Sequence, residues 1–192
     1  MKTIYYTASS LDGYIADAND SLEWLLQFGE PEEGHDDFAN GIGAVAMGST
    51  TYDWLLAHHV FRDPDRQHPW PYRQPTWVFS TRKLRSVPDA DVRFVRGDVR
   101  PVHREMIDAV CRKNIWIVGG GDLAGQFFDH GLLDELIVTI APVTLGDGAP
   151  LFPRRAAKPP LRLVSVRNVG DVFVEVRYEV ARPDGEKRSV EV

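Results

Sequence analysis

The amino-acid sequence predicts one α/β domain, with a mostly parallel central sheet and an antiparallel hairpin at its C-terminal edge. Short apolar runs alternate with segments of helical periodicity, which is typical of a parallel sheet covered by helices. A glycine triplet, Gly119 to Gly121, joins one such run to a helix-like segment. With 192 residues the chain can bury one sizeable core, so we expect a single domain over residues 1–181 and a charged tail at 182–192.

Eight segments rich in β-branched, aromatic or other apolar residues predict strands. They are residues 2–8, 44–47, 75–80, 92–95, 115–118, 135–141, 162–169 and 172–180. The last two alternate polar and apolar residues around Gly170-Asp171, which predicts the closing hairpin.

Capping residues and helical spacing predict five helices between these strands. They begin at or near Asp20, Gly34, Ser49, Pro101 and Asp122. Asp20 is expected to cap the first helix, because Glu23 follows three residues later as in a capping box. Residues 49–51 can cap the third helix, and Gly131 can end the fifth.

Composition and charge exclude several classes of partner. Lys and Arg total 22 against 28 for Asp and Glu, and the basic residues are dispersed, so we expect no nucleic-acid partner. No apolar run reaches the length of about 20 residues that a membrane span needs. A strand pattern, and not a signal peptide, follows Met1 directly. We therefore expect a cytoplasmic protein without a membrane partner. The lone Cys111 lies in a helical pattern and is expected to be buried.

The glycine triplet is the feature that points most directly to a ligand. Glycines at the end of a strand bring backbone N–H groups close to a bound group, and the following helix start favours an anion. The run also fits G-x-G-x-x-A, with Ala124 in the last place. The alternative is an ordinary tight turn.

Three predicted strands end in small or hydroxyl residues, at Gly48, Ser80 and Gly119. Ligands of open α/β sheets bind at the carboxyl ends of strands, so these three ends together predict a dinucleotide site. A plain Rossmann domain fits less well, because its glycine motif follows the first strand and here the glycines come late.

Other catalytic sites are not predicted. His58 and His59 are adjacent and His68 lies in a loop, so the spacing of a zinc site is missing and no metal is expected. The chain has no G-x-S-x-G elbow, and Gly48-Ser49-Thr50 lacks the lysine of a P-loop.

Several motifs in order resemble one known superfamily. They are Ala8, Ser10-Leu11-Asp12-Gly13-Tyr14-Ile15-Ala16, Met47-Gly48-Ser49-Thr50-Thr51-Tyr52, Val118-Gly119-Gly120-Gly121 and Gln126-Phe127. Together they resemble the dihydrofolate reductase superfamily. The block from Ala141 to Phe152, with its Pro, Leu-Gly-x-Gly and Pro-Leu-Phe, is more similar to the RibD C-terminal (riboflavin-biosynthesis reductase) domain family. The resemblance covers about residues 2–180.

This resemblance implies a three-layer dihydrofolate reductase-like fold and an NADPH-dependent reductase. It implies that Ala8 and Ile15 flank the nicotinamide and that Ser80, Thr81 and Arg82 face the adenosine ribose. The full implied cofactor-binding set is Ala8, Ile15, Gly48, Ser49, Thr50, Thr51, Ser80, Thr81, Arg82, Val118, Gly119, Gly120, Gly121, Asp122, Leu123 and Gln126.

One position departs from the family pattern. Family members often carry Arg where this chain has Ser49, at the start of the helix that meets the 2′-phosphate of NADPH. A hydroxyl cannot replace a guanidinium fork, so NADPH is expected only if Arg82 compensates, and NADH is the alternative. Ser49 and Thr50 can equally be helix caps, and Arg82 a solvated turn residue.

On the substrate side, the resemblance makes Asp12 the first candidate for a catalytic polar contact, with an Asp-Gly turn as the alternative. Trp24 and Phe38 are candidates to wall a flat heterocycle, or else core residues. Thr139 matches a strand threonine beneath the pterin of folate reductases. Folate reductases also carry a carboxylate on the helix after the first loop. None of the nearby acids matches it without ambiguity; these are Glu32, Glu33, Asp36 and Asp37.

The sequence therefore predicts an NADPH-dependent oxidoreductase that transfers hydride to a small nitrogen heterocycle. The substrate class is 5-amino-6-(5-phosphoribosylamino)uracil-like or pterin-like. The alternatives are a true dihydrofolate reductase and an inactive dinucleotide-binding module. The family resemblance also implies a homodimer.

Overall fold

The structure is a computed structural model that describes residues 1–29, 35–63 and 65–181, with the backbone alone at 35–37. Two predictions lie outside these residues. They are the start of the second helix at Gly34 and the charged tail at 182–192.

Strands and helices alternate along the described chain. The strands are β1 Thr3–Ser9, β2 Tyr14–Ala16, β3 Ile42–Gly48, β4 Thr76–Phe79, β5 Val92–Val95, β6 Asn114–Gly119, β7 Glu135–Ile140, β8 Ala149–Pro150, β9 Arg162–Val169 and β10 Phe173–Glu179. The helices are α1 Glu23–Leu26, α2 His35–Asn40, α3 Ser49–Leu55, α4 Val99–Ala109 and α5 Gly121–Asp129. A π-helical turn, Leu56–Val60, continues α3.

Eight strands form the central sheet in the order β5-β4-β3-β6-β1-β7-β10-β9. The neighbours from β5 to β7 pair in parallel, whereas β10 is antiparallel to both β7 and β9. The predicted parallel sheet with an antiparallel C-terminal hairpin is therefore confirmed. β7 lies between β1 and β10.

Helices cover both faces of the sheet and bury its apolar side chains. On one face, Met106 of α4 and Phe127 of α5 pack into a cluster with Tyr5 of β1, and all three are fully buried. On the other face, Tyr52 of α3 packs with Val45 of β3. Burying an aromatic or aliphatic side chain of this size stabilises a fold by about 1.5–3 kcal/mol, so these two layers hold the strand ends in place.

Two predicted caps are wrong. Asp20 has a φ of 59° and does not cap α1, whose N-cap is Leu22. The carboxylate of Asp17 accepts hydrogen bonds from the backbone N–H groups of Asn19 and Ser21, and this turn takes Asp20 out of the helix. Similarly, the N-cap of α3 is Gly48, because β3 runs directly into the helix and residues 49–51 form its first turn.

Two further differences concern the loops. Cys111, expected to be buried, is exposed just after the end of α4, with a φ of 47°. The short sheet of β2 and β8 was not predicted, because its strands have only three and two residues and lie more than 130 positions apart. None of the helices in the described ranges is long and apolar enough to cross a membrane.

Candidate functional site

A cavity opens where two neighbouring strands of the sheet part. β1 pairs with β6 only from Thr3 to Tyr5, whereas its pairing with β7 continues to Ser9. Beyond Tyr5 the carboxyl ends of β1 and β6 therefore separate. A crevice at the carboxyl ends of neighbouring parallel strands is where ligands of α/β sheets bind.

The cavity has a volume of about 640 Å³, within the range of small-molecule and cofactor sites. Thr7 of β1 lies at the strand separation. Ile15 and Ala16 of β2, with Ala149 and Pro150 of β8, line the cavity from the small second sheet. The unpredicted pairing of β2 with β8 thus holds the N-terminal loop and the 149–150 segment together at one cavity wall.

Most predicted cofactor residues come together at this cavity. Those that line it are Ile15, Gly48, Ser49, Thr50, Thr51, Val118, Gly119, Gly120, Gly121, Asp122, Leu123 and Gln126. Arg82 lines an adjoining depression of about 370 Å³, which shares Asp20, Ser49, Thr50 and Trp54 with the main cavity. Ala8, Ser80 and Thr81 line neither space.

Two helix starts meet at the glycine bends. Gly48 is the N-cap of α3 and Gly120 the N-cap of α5, both with extended backbone and without a side-chain acceptor. A Cβ on Gly48 would lie 3.8 Å from the backbone nitrogen of Gly120, so the two starts are adjacent. The peptide bond between Gly119 and Gly120 is cis. Two neighbouring helix starts with uncapped N–H groups make a favourable site for an anion.

Charged groups at the start of α5 are already paired with one another. Asp122 accepts a hydrogen bond from Gln126 Nε2 at 2.9 Å and lies 3.0 Å from an Arg154 guanidinium nitrogen. The Gln126 hydrogen bond, and next the Arg154 interactions, lower the pKa of Asp122 despite partial burial. Arg154 also pairs with Asp129, so it is not available as a free cation for a ligand.

Arg82 has an acidic partner in the adjoining depression. Its guanidinium donates to Asp53 Oδ2 at 2.7 Å, and both side chains are about half exposed. Ser80 accepts a hydrogen bond from the Arg82 backbone N–H, which orders this turn. Asp53 thus places a negative charge where the resemblance implies an adenosine ribose.

Aromatic side chains that were not predicted also line the cavity. They include Trp54 of α3, His59 of the π-helical turn, Tyr72 and Trp116. Tyr72 and Trp116 pack edge to face with centroids 5.5 Å apart, and burial raises the pKa of the Tyr72 phenol. Tyr72 belongs to a proline-rich loop without periodicity, so no sequence signal could have placed it here.

The predicted substrate residues lie outside the cavity lining. Asp12 accepts hydrogen bonds from Ser10 Oγ at 2.6 Å and from the backbone N–H groups of Leu145 and Gly146 at 3.1 and 2.7 Å. The Ser10 bond, followed by the Gly146 N–H, lowers the pKa of Asp12. These contacts tie the loop of Asp12 to residues 145–146.

The other three substrate candidates pack within the protein. Trp24 packs against Ala141, Val169 and Phe173, in agreement with the core alternative. Phe38 packs edge to face on Tyr6 and Trp116, with centroids 4.8 and 5.4 Å away. Thr139 is buried on β7, where it pairs with Ala8 of β1 and Glu175 of β10.

A polar network that sequence reasoning missed lies on the same sheet face as Thr139. Tyr6 donates its hydroxyl hydrogen to Glu175 at 2.8 Å, and Arg167 donates to the same carboxylate at 2.7 Å. Burial, and next the bond to Glu175, raises the pKa of Tyr6 to about 12. Burial would raise the pKa of Glu175, but the bonds from Arg167 and Tyr6 outweigh it and lower that pKa. These groups satisfy one another.

Sequence comparison identifies relatives across the whole fold. The model of the RibD C-terminal domain family matches residues 1–174. The YwjB protein of Bacillus subtilis (strain 168), itself uncharacterized, is 34% identical over 179 residues, which are 92% of this chain and 97% of YwjB.

Solved structures show the same architecture. A Shewanella sp. PV-4 protein, described as a candidate riboflavin biosynthesis protein, has a TM-score of 0.77 and 27% identity and covers 95% of this chain and 100% of its own. A Thermotoga maritima deaminase and 5-amino-6-(5-phosphoribosylamino)uracil reductase has a TM-score of 0.65 and 16% identity, over 94% of this chain and 56% of that one.

Enterococcus faecalis dihydrofolate reductase, solved with NADP(H), has a TM-score of 0.58 and 15% identity, over 93% of this chain and 95% of that one. At this identity the similarity concerns the fold alone. It confirms the predicted dihydrofolate reductase-like fold.

Proposed function

Since the chain belongs to the RibD C-terminal domain family, we propose that it is an NADPH-dependent oxidoreductase that transfers hydride to a small nitrogen heterocycle. The proposed substrates are 5-amino-6-(5-phosphoribosylamino)uracil-like or pterin-like compounds. The observation that carries this proposal is the pair of adjacent, uncapped helix starts at Gly48 and Gly120, at the edge of a cavity of cofactor size.

The residues present fit a dinucleotide. The first-turn N–H groups of α3 and α5 would hold the diphosphate, with Thr51 adding a hydroxyl beside Gly119. Ile15 and Thr7 would border the nicotinamide where β1 and β6 separate. These contacts require no metal, because main-chain donors and the two helix dipoles favour the negative charge.

The cofactor, when bound, supplies a hydride, and a proton from solvent completes the reduction of one double bond of the heterocycle. The chain's own contribution is orientation and the exclusion of water. The half-buried side chains of Ile15 and Ala16 cover one wall, and β8 keeps them in place through its pairing with β2. Asp12 fixes the adjoining 145–146 loop through its hydrogen bonds to the backbone.

Calorimetric titration with NADPH and with NADH tests the binding step. Gly48→Asp places a negative charge between the two helix starts, and we expect it to weaken NADPH binding at least about tenfold. Gly48→Ala is the matched variant, because its Cβ meets other atoms only at ordinary contact distance, and it isolates the effect of volume from that of charge. No heat with either cofactor for the unmodified protein would refute the proposal.

Oxidation of NADPH with a panel of pterins, dihydrofolate and aminopyrimidine riboflavin precursors tests the chemistry. Turnover with dihydrofolate above all others would indicate a true folate reductase. Binding of NADPH without turnover of any member would indicate a dinucleotide-binding module.

We also propose that the protein forms a homodimer through one face of its C-terminal hairpin. Leu163, Val166 and Val174 lie on the same face of β9 and β10 and expose 53%, 58% and 39% of their surface. The opposite face carries the ion pair of Arg167 with Glu175, so the apolar stripe is one-sided. A one-sided apolar stripe on an edge strand is a surface that a second copy can cover.

A further inference from the structure

The cavity has two chemically distinct ends. The end formed by the starts of α3 and α5 presents backbone N–H groups, as described above. Trp116 precedes Gly119 by three positions on β6, and its indole N–H donates to the Tyr6 carbonyl at 2.9 Å, next to Thr7 where β1 and β6 separate. Tyr72 packs edge to face on Trp116. These two rings form the aromatic end of the cavity, whereas Trp54 also lines the depression of Arg82 and so lies on the side proposed for the adenosine ribose.

The walls of this end suit a flat, apolar ring system. Tyr72 and Trp116 supply aromatic surface. Tyr72 and Trp116 hold each other edge to face, so their ring planes are set before a ligand enters. Planar heterocycles gain dispersion and quadrupole interactions with such rings.

One polar group at this end is available for a ligand. In the described part of the chain the Tyr72 hydroxyl has no hydrogen-bond partner, although the ring lines the cavity. Burial disfavours the phenolate, so the hydroxyl remains protonated and can donate to a ring nitrogen or carbonyl oxygen. A ligand that covers this hydroxyl gains most when it also offers an acceptor, because a donor that loses water without a new partner is costly.

The charges of the cavity disfavour a phosphorylated substrate. Among the described residues its lining contains no Lys or Arg, and its carboxylates are Asp20 and Asp122. A phosphomonoester carries a charge of about −1.5 to −2 and is usually recognised by guanidinium or ammonium groups. The helix starts, which could take an anion, are assigned to the cofactor.

We propose that the substrate is an unphosphorylated planar heterocycle that lies against Trp116 and accepts a hydrogen bond from the Tyr72 hydroxyl. This inference rests on the proposed reductase function and narrows it. It sets the chain apart from the Thermotoga maritima protein, whose named substrate carries a phosphoribosyl group.

A matched pair of substrates tests the inference. NADPH oxidation is measured with 5-amino-6-(5-phosphoribosylamino)uracil and with the same compound after removal of its phosphate. We expect kcat/KM to be at least about tenfold higher for the unphosphorylated compound. Equal or higher values for the phosphorylated compound would overturn the inference.

Separate outcomes distinguish failure of the inference from failure of the proposed function. NADPH binding is measured on the same preparation by quenching of tryptophan fluorescence. If NADPH does not bind, the reductase function itself is refuted. If NADPH binds but neither compound is reduced, binding of the pair and of pterin to the NADP⁺ complex is titrated. Failure of every unphosphorylated ring to bind there overturns the inference.

Two substitutions, each with a control, test the named residues. Tyr72→Phe removes the free hydroxyl, and we expect KM for the unphosphorylated compound to rise about fivefold or more while the Kd for NADPH is unchanged. Tyr178→Phe on β10 makes the same chemical change outside the cavity. Leu22→Arg adds a cation to the lining, and we expect it to shift the substrate preference at least about fivefold toward the phosphorylated compound.

Leu26→Arg adds the same charge to the exposed side of α1, where Leu26 is 49% exposed, and should leave the preference unchanged. Equal shifts in both Arg variants would show that general charge, and not the cavity wall, decides the preference.

Discussion

Gly121 lies directly against the carbonyl oxygen of Leu151: a Cβ on Gly121 would be 2.3 Å from that oxygen and 2.4 Å from the Pro150 oxygen. The start of α5 therefore packs on the backbone that follows β8. This contact joins the glycine bend to the small second sheet, and it leaves no space for a side chain.

Gly121→Ala should consequently destabilise the fold. The new methyl group must displace backbone, and overpacking of this kind costs about 1–3 kcal/mol. Urea unfolding measures the change. Gly48→Ala, whose Cβ would meet atoms only at 3.8 Å, should cost less, and a larger loss for Gly48→Ala would contradict the assigned packing.

Asp53 and Arg82 should set the choice between NADPH and NADH. Asp53→Asn removes a negative charge beside the proposed adenosine ribose and frees Arg82 for a 2′-phosphate, so NADPH should bind a few-fold more tightly and NADH about as before. Arg82→Ala should weaken NADPH alone. Titrations with both cofactors measure this, with Arg100→Ala as a surface control. Equal changes in the Kd of NADPH and of NADH would contradict the placement of the adenosine ribose beside Asp53 and Arg82.

Asp12 should stabilise the 145–146 loop in its ionised form. Because its pKa is lower in the folded state, its stabilising effect is complete above the unfolded pKa of about 3.9 and is lost as the pH falls through the folded value. Asp12→Asn should thus lower the melting temperature at neutral pH, with a difference that shrinks below about pH 4. Thermal unfolding across pH tests it, with Asp171→Asn in the hairpin turn as control. A difference independent of pH would contradict this role.

Val166→Lys should convert the proposed dimer to a monomer. The lysine would place a charge in the centre of the apolar stripe on β9, where burial without a partner is costly. Sedimentation velocity measures the mass. Val172→Lys, in the hairpin turn and 41% exposed, adds the same charge outside the stripe and should remain dimeric. A monomeric unmodified protein would refute the homodimer.

Local patterns were enough for the parts of the site that lie at strand ends. The β3 and β6 strands and the helices after them follow from apolar runs and glycines within a few residues of one another. Twelve of the sixteen implied cofactor residues line one cavity, because parallel neighbours bring their carboxyl ends to the same edge. The prediction that Asp20 caps α1 was wrong, because the turn at Asp17 competes with the cap. Such a turn leaves no periodic pattern of apolar residues in the sequence.

The sequence by itself determined the α/β class, the C-terminal hairpin and the helix starts that follow Gly48 and Gly120, since each depends on the spacing of nearby side chains. Only the tertiary structure decided that Tyr72 and Trp54 share a cavity, that Arg82 is paired with Asp53, and that β2 pairs with β8. These contacts join distant segments of the chain. Their geometry depends on how whole layers pack, and no local pattern of residues encodes it.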